Sequence, residues 1–395
     1  MNTSKSWYYY SLFGLLYFVQ GAALAYFRNF QKPYLNNLGI DASRIGILTS
    51  ILLFPFIIKI FIGIFSDKYS LFGLGHRKPY ILAGLLLGVL AFVSVSGVLP
   101  DSNFYLFSIL IILASFSVAL FDSSTDGFAI DVTPPKQYGR VQGIMIGGRA
   151  VGFIILSLLF GFLVQKNDYS IIFITLSILM VLPFIYTLFA SEKQAVNKEQ
   201  KFEWTAFASL LKPQFLIFAV YAIFYSIISF GVDGLVTFYM SYSYQAVEKM
   251  IGQYGALRGT GAVIGAVVGG VLMDKIGHKK IAFTTVFIIS LGAAMVGFST
   301  SISMLLKVAI FWGIAWGFQE TVFVALAMSL ADARIAASMF AIMMALSNVG
   351  TAITEGVATA ISVDIGFHTV FFILALFNFF NLVILYFYFK IKARS

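Results

Sequence analysis

The chain has 395 residues, of which 60% are hydrophobic and 11% charged, and it carries a net charge of +9. No water-soluble fold of this length buries that much apolar surface, so most of it faces lipid; the placement of its basic residues points to membrane topology rather than to nucleic acid. With no cysteine there is no disulfide framework and no thiolate metal site, and the three histidines (His76, His278, His368) fall at predicted helix ends or loops, away from any metal-ligating cluster or general base.

Apolar runs long enough to cross a bilayer are predicted at about 8–30, 45–65, 80–99, 104–129, 142–164 and 171–190. After a polar break come 215–239, 250–273, 281–300, 304–328, 335–361 and 369–389. The first run has no small-residue cleavage site after it and is too long for the apolar part of a signal peptide, so it is expected to stay as a span. The expectation is an all-α integral membrane protein of twelve helices in two pseudo-symmetric six-helix bundles, 1–190 and 213–395, joined by a linker at 191–212. Most Lys and Arg fall in alternate loops and in the tails, among them Lys68, Arg77, Lys78, Lys136, Arg140, Lys275, Lys279 and Lys280. That asymmetry places both termini in the cytoplasm, and a short chain without long tails reads as one of a prokaryotic plasma membrane.

A short polar loop between the second and third runs, Gly63-Ile-Phe-Ser-Asp67 through to Gly75-His-Arg77-Lys78-Pro79, returns between the eighth and ninth as Gly270-Val-Leu-Met-Asp274-Lys-Ile-Gly277-His-Lys279-Lys280. Asp67 and Asp274 lie 207 positions apart, Lys78 and Lys280 202, and both Asp122–Glu320 and Gly152–Gly350 198. An offset that shrinks at loops is what two diverged copies of one unit give, and paired six-helix repeats suit a transporter that rocks about a midplane site. Small residues cluster in the fifth helix (Gly143, Gly147, Gly148, Gly152) and in the eighth (Gly255, Gly259, Gly261, Gly265, Gly269, Gly270), as faces for close helix packing or for sliding.

Ionisable groups inside spans are costly and mark function. The chain has Lys59, Asp122, Asp126, Arg149, Asp233, Arg258, Glu320 and Glu355. Counting along the spans puts Lys59, Asp122, Asp126 and Arg149 in one layer toward the cytoplasmic side, with Glu320 repeating it, and sets Asp233, Arg258 and Glu355 toward the outside. Asp122 and Asp126 share a helix face. Two readings stand: structural ion pairs, with Arg149 held by Asp122 or Asp126, or groups that bind solute and carry protons. With Asp122, Asp126 and Asp131 on one segment, at least one acid lacks an obvious partner; Asp126 is the first candidate for proton carriage and Glu320 the second. Trp312 and Trp316, one turn apart before Glu320, form either a stacking wall for a planar solute or ordinary packing.

The twice-present loop resembles the signature loop of the major facilitator superfamily. Gly63, Asp67, Arg77 and Lys78 match it with an insertion at 69–74, and Gly270, Asp274, Gly277, Lys279 and Lys280 match it without one. The resemblance implies that these residues latch helices and control a conformational switch. Within the first half, Tyr17-Phe-Val-Gln-Gly21, Pro55-Phe-Ile-Ile-Lys59 and Asp122-Ser-Ser-Thr-Asp126-Gly are similar to the folate–biopterin transporters, muropeptide permeases and acetyl-coenzyme A transporters. That likeness runs over residues 8–160.

The resemblance implies a secondary transporter, monomeric in the bilayer, that moves a small anionic or amphipathic organic solute with a proton gradient and no other cofactor. Lys59, Arg149 and Arg258 would be its cationic contacts, Trp316 its aromatic one, and Asp126 or Glu320 its coupling group, with Asp122, Asp233 and Glu355 around them. No phosphate-binding loop is present, so ATP-driven transport is not expected. Transport of a lipid or lysolipid on the same scaffold is the alternative; an intramembrane enzyme would need a cavity constellation that the histidines do not supply.

Overall fold

The computed structural model describes residues 3–70, 73, 75–134, 137–166, 168–192, 204–330 and 336–392. Every regular element among them is a helix. Backbone polar groups in lipid have no water to bond, so each segment must satisfy its own, which a helix does. Among the described residues twelve helices are long and apolar enough to cross a membrane: span 1 Trp7–Asn37, span 2 Ala42–Gly63, span 3 Lys78–Ser96, span 4 Phe104–Val132, span 5 Arg140–Val164 and span 6 Ser170–Leu188. Span 7 is Pro213–Tyr244, span 8 Glu248–Ile276, span 9 His278–Gly297, span 10 Ile302–Leu330, span 11 Met339–Ile365 and span 12 Phe367–Ile391. The expected twelve-helix fold is therefore present. Of the expected linker, residues 193–203 lie outside the described set, and Trp204–Leu211 form a short 3-10 helix leading into span 7.

The first two spans depart from the sequence reading. Span 1 does not end at residue 30 but runs on to Asn37. A π-helical turn at Tyr26–Phe30, in which the Gln31 N–H reaches back to the Tyr26 carbonyl, carries the helix past Pro33, whose nitrogen has no hydrogen to give. Span 2 is broken at Leu53, between Ala42–Leu52 and Phe54–Lys68, because Pro55 cannot extend the preceding hydrogen-bond ladder.

Packing sorts the chain into two compact units. Unit 1 holds Met1–Ile40, Phe54–Glu199 and Val247–Ala256; unit 2 holds Asp41–Leu53, Gln200–Ala246 and Leu257–Ser395. In unit 1 the heaviest contact is between spans 1 and 5, and it is backbone on backbone. A Cβ added at Gly152 would lie 3.0 Å from the Phe18 Cα, and one at Gly148 3.3 Å from the Gly14 Cα, with carbonyl oxygens closer still. Gly143 and Gly147 face open space instead, so not every glycine of span 5 serves packing. The start of span 8 joins the same unit: Gly252 lies against Gly161 and Ser157 of span 5, leaving 3.2 Å from a Cβ to the Gly161 Cα.

In unit 2, spans 8 and 10 cross in the same fashion. A Cβ at Gly265 would stand 2.8 Å from the Ile314 Cα, and one at Gly317 2.7 Å from the Ala262 Cα. The first part of span 2 lies on span 11, where the Ser50 hydroxyl donates to the Ala352 carbonyl at 2.7 Å. The unit's core gathers Phe218, Tyr221, Tyr225, Phe323, Met343 and Tyr388 from spans 7, 10, 11 and 12. In lipid such contacts rest on close van der Waals approach and interhelical hydrogen bonds, since burial of apolar surface offers no drive there.

Candidate functional site

The charged layer of unit 1 assembles on spans 1, 2, 4 and 5. Lys59 Nζ stands 3.4 Å from Asp122 Oδ2, and Ser123 donates to the Lys59 carbonyl at 3.3 Å, tying span 2 to span 4. One turn along span 4, Asp126 Oδ1 accepts a hydrogen bond from the Tyr17 hydroxyl of span 1. Arg149 is exposed and acts on Asp126 only through space; among the described residues no carboxylate lies within ion-pair distance of it. The expected pairing of Arg149 with Asp122 or Asp126 is thus corrected: the lysine of span 2 takes Asp122, and the phenol of span 1 takes Asp126.

The third acid of span 4 belongs to the loop. Asp131 Oδ2 lies 3.1 Å from Arg77 Nε, and Arg77 Nη1 also donates to Ser66 Oγ at 2.6 Å and the Gly63 carbonyl at 3.4 Å. Gly127 gives the guanidinium room, since a Cβ there would sit 2.5 Å from its Cζ. Lys78 Nζ donates to the Leu188 and Ala190 carbonyls at the end of span 6, at 2.7 and 2.9 Å. Glu192, beyond span 6, accepts from the backbone N–H groups of His76, Arg77 and Lys78 at 2.7–3.0 Å, capping the start of span 3. Gly63, Arg77 and Lys78 are so brought together, while the Asp67 side chain lies outside the described residues.

In the second loop, Gly277 takes φ +96°, a turn that only glycine makes without strain. Gly270 lies beside Thr321, and Asp274 and Lys279 are exposed. Residues 331–335, which follow span 10 as Asp131 closes span 4, lie outside the described set.

Unit 2 builds its charged site differently. Arg258 clamps Asp233 with two parallel bonds, Nε to Oδ1 and Nη2 to Oδ2, both 2.7 Å, with the residues 7% and 6% exposed. Trp312 Nε1 donates to the same Asp233 Oδ1 at 3.0 Å, and the Trp316 ring lies under the guanidinium, 3.9 Å from its Cζ. Of the two readings of the tryptophans, Trp312 is core and holds the carboxylate, while Trp316, partly exposed, stacks on the cation. Glu355 is buried against Gly234, where a side chain would collide with its carboxylate. Toward the other end of span 10, Glu320 Oε2 accepts from the Tyr225 hydroxyl at 2.6 Å, and Gln319 Oε1 from Ser229 at 3.0 Å.

Several polar residues escape the sequence reading. Tyr225 is found only through the acid that it holds, and the roles of Tyr17 and Trp312, both named in the sequence, emerge only from their bonds to Asp126 and Asp233. Lys32 is 3% exposed and lies inside span 1 rather than after it. Its signal is hidden because Gln31-Lys-Pro33 falls past the expected end of the span until the π-turn is known.

A family model described as Major Facilitator Superfamily matches residues 13–250 and 234–395. A putative transporter AmpG 2 of Rickettsia bellii is 26% identical over 66% of this chain and 64% of its own length. The anhydromuropeptide permease of Escherichia coli is 23% identical over 85% and 70%, and a folate-biopterin transporter of Synechocystis sp. 25% identical over 51% and 40%. The chain therefore spans less than two thirds of the length of the first of these relatives. Among solved structures, an inward-facing, occupied bacterial homologue of the human lysosomal transporter Spinster superposes with a TM-score of 0.79 at 15% identity, covering 99% of this chain and 98% of its own. The nucleoside transporter NupG gives 0.75 at 15%, covering 99% of each chain. These likenesses to solved structures concern the fold.

Proposed function

Because the chain belongs to the Major Facilitator Superfamily, whose members are membrane transporters and not enzymes, we propose that it is a secondary active transporter of a small anionic organic solute, working by alternating access and coupled to protons across a plasma membrane. One observation carries the solute class: the buried Arg258, closed by Asp233 and stacked on Trp316. A solute carboxylate can replace Asp233 on the guanidinium fork without leaving a bare buried charge, and a ring can slide over the indole beside it. Buried ion pairs that exchange partners in this way make both recognition and gating available from the same residues.

The proton-coupling part rests on Asp126 and Glu320, acids inside spans whose bonds come from phenols. The names of the relatives, an anhydromuropeptide permease and a folate-biopterin transporter, are in keeping with a small organic solute. Orientation with the basic loops in the cytoplasm follows from the charge asymmetry.

The test is a thermal-shift screen on the purified protein at pH 5.5 and 7.5 with folate, a pterin, an anhydromuropeptide, a neutral sugar and a lysophospholipid. Stabilisation by a carboxylate-bearing ring compound that disappears in Arg258→Gln is expected. Stabilisation by the lysophospholipid alone, unaffected by Arg258→Gln, overturns the solute class and moves the protein to lipid transport.

A further inference from the structure

The two acids proposed to carry protons are held by the same device, built once in each unit. In unit 1 a phenol from span 1, Tyr17, donates to a carboxylate on span 4, Asp126. In unit 2 a phenol from span 7, Tyr225, donates to a carboxylate on span 10, Glu320, at 2.6 Å. Spans 7 and 10 are the first and fourth of their half, as spans 1 and 4 are of theirs. Both tyrosines are buried, Tyr17 at 7% and Tyr225 at 0% exposure.

The copies are not identical, and the difference is informative. At the offset of 198, Glu320 corresponds to Asp122, not to Asp126. In unit 1 Asp122 faces Lys59, and the phenol holds the acid one turn further along. At the offset of 207 that separates Asp67 from Asp274, Lys59 corresponds to Ala266. Unit 1 thus divides an ion pair and a phenol couple between two acids, whereas unit 2 keeps the phenol couple on the equivalent acid. The ion pair of unit 2 sits elsewhere, at Asp233 and Arg258. What the two halves share after their divergence is the tyrosine–carboxylate bond.

We infer that Tyr17 and Tyr225 are matched positioning residues of a duplicated proton site, each keeping its carboxylate bonded both with and without the proton. This rests on the proton-coupled reading above. An ionised carboxylate only accepts, so the phenol donates to it; once protonated, the acid's own hydroxyl donates to the phenol oxygen, and the phenol proton turns to another acceptor. For Tyr225 the hydroxyl of Ser347 on span 11 faces the same phenol. The groups facing Asp126 are Tyr17 from span 1, Lys59 from span 2, Asp122 on its own span and Arg149 from span 5. Those facing Glu320 include Tyr221 and Tyr225 from span 7. The charged Asp233, Arg258 and Glu355 of spans 7, 8 and 11 lie further along the unit, at the levels of Trp316 and Gly234.

The experiment is an infrared titration of the protonated-carboxyl band on the full-length protein in lipid nanodiscs, from pH 4 to pH 9. It compares wild type with Asp126→Asn, Glu320→Gln, Tyr17→Phe and Tyr225→Phe. Each acid variant is expected to delete one titrating component. Tyr17→Phe should then shift the component deleted by Asp126→Asn to higher pH by about one unit, and Tyr225→Phe the one deleted by Glu320→Gln, because each loses a donor to the ionised form. If a phenylalanine variant does not fold, uniform 3-fluorotyrosine labelling makes every phenol a stronger donor and should move both components to lower pH. Components that vanish in the acid variants but stay in place with phenylalanine and fluorotyrosine overturn the inference and leave proton coupling standing. If the acid variants delete no component, proton coupling itself fails, and the inference with it.

Discussion

The Arg77 guanidinium and the Asp131 carboxylate meet at 3.1 Å, joining the loop before span 3 to the last turn of span 4. The same arginine reaches Ser66 and the Gly63 carbonyl at the end of span 2, so one side chain ties three helices at their loop ends. Its backbone is fixed from a fourth direction, since the Glu192 carboxylate takes the N–H groups of His76, Arg77 and Lys78.

Glu192 is therefore expected to stabilise this corner although it lies outside the signature loop. Glu192→Ala should lower stability by about 1–2 kcal/mol, as the loss of a charged helix cap does, and Glu192→Gln by less because one acceptor oxygen remains. Thermal melts in detergent at low salt read the difference. Equal melting of both variants and wild type would mean that the cap is without weight.

The glycine crossings give a sharper contrast. Gly265→Leu must push span 8 away from span 10, where the Ile314 backbone leaves 2.8 Å or less to a Cβ, and should abolish a monodisperse peak in size-exclusion chromatography. Gly143→Ala meets nothing within 4 Å and removes backbone freedom from a helix, so it should be neutral or stabilising by up to about 1 kcal/mol. Sequence composition treats the two positions alike; only the neighbours separate them.

That contrast shows what was legible beforehand. Spans, their number and the paired loops could be read because apolar length and charge asymmetry are properties of the chain itself. The layer Lys59–Asp122–Asp126–Arg149 could be read as a depth, since rise per residue fixes height along a helix. Which acid takes which partner could not, because that depends on how far each helix is rotated. Asp122 turns to Lys59, Asp126 to Tyr17 and Asp131 to Arg77, three neighbours on three different elements. Lys32 falls past the expected end of span 1 for a related reason: the helix continues through a π-turn whose Asn29 bonds Ser157 at 2.9 Å, a tertiary contact that the sequence does not display.

The Asp233–Arg258 pair allows a test of whether it serves stability or recognition. Asp233→Asn alone leaves a buried guanidinium short of its counter-charge and should cost about 3–5 kcal/mol. Replacing both, Asp233→Leu with Arg258→Met, removes the charges together and should recover most of that loss, short of wild type by the about 1–3 kcal/mol of the Trp312 indole N–H left without its acceptor. If the pair exists for recognition, the double variant still fails to take up a carboxylate-bearing solute in proteoliposomes. Normal uptake by the double variant would reduce the pair to a helix clamp.

Lys59 and Asp122 are joined more loosely, at 3.4 Å with the lysine side chain 23% exposed, and the looseness is what a moving contact requires. A pair that only held spans 2 and 4 together would gain from being short and dry; one that opens in each cycle must not be too strong. A double-mutant cycle with Lys59→Met and Asp122→Asn should therefore give a modest stability coupling, about 1 kcal/mol, well below that of a buried clamp. Uptake should respond much more steeply, with each single variant losing at least tenfold and the double variant recovering stability but not rate. A stability coupling above about 3 kcal/mol, with uptake following melting temperature through all three variants, would instead mark the pair as structural.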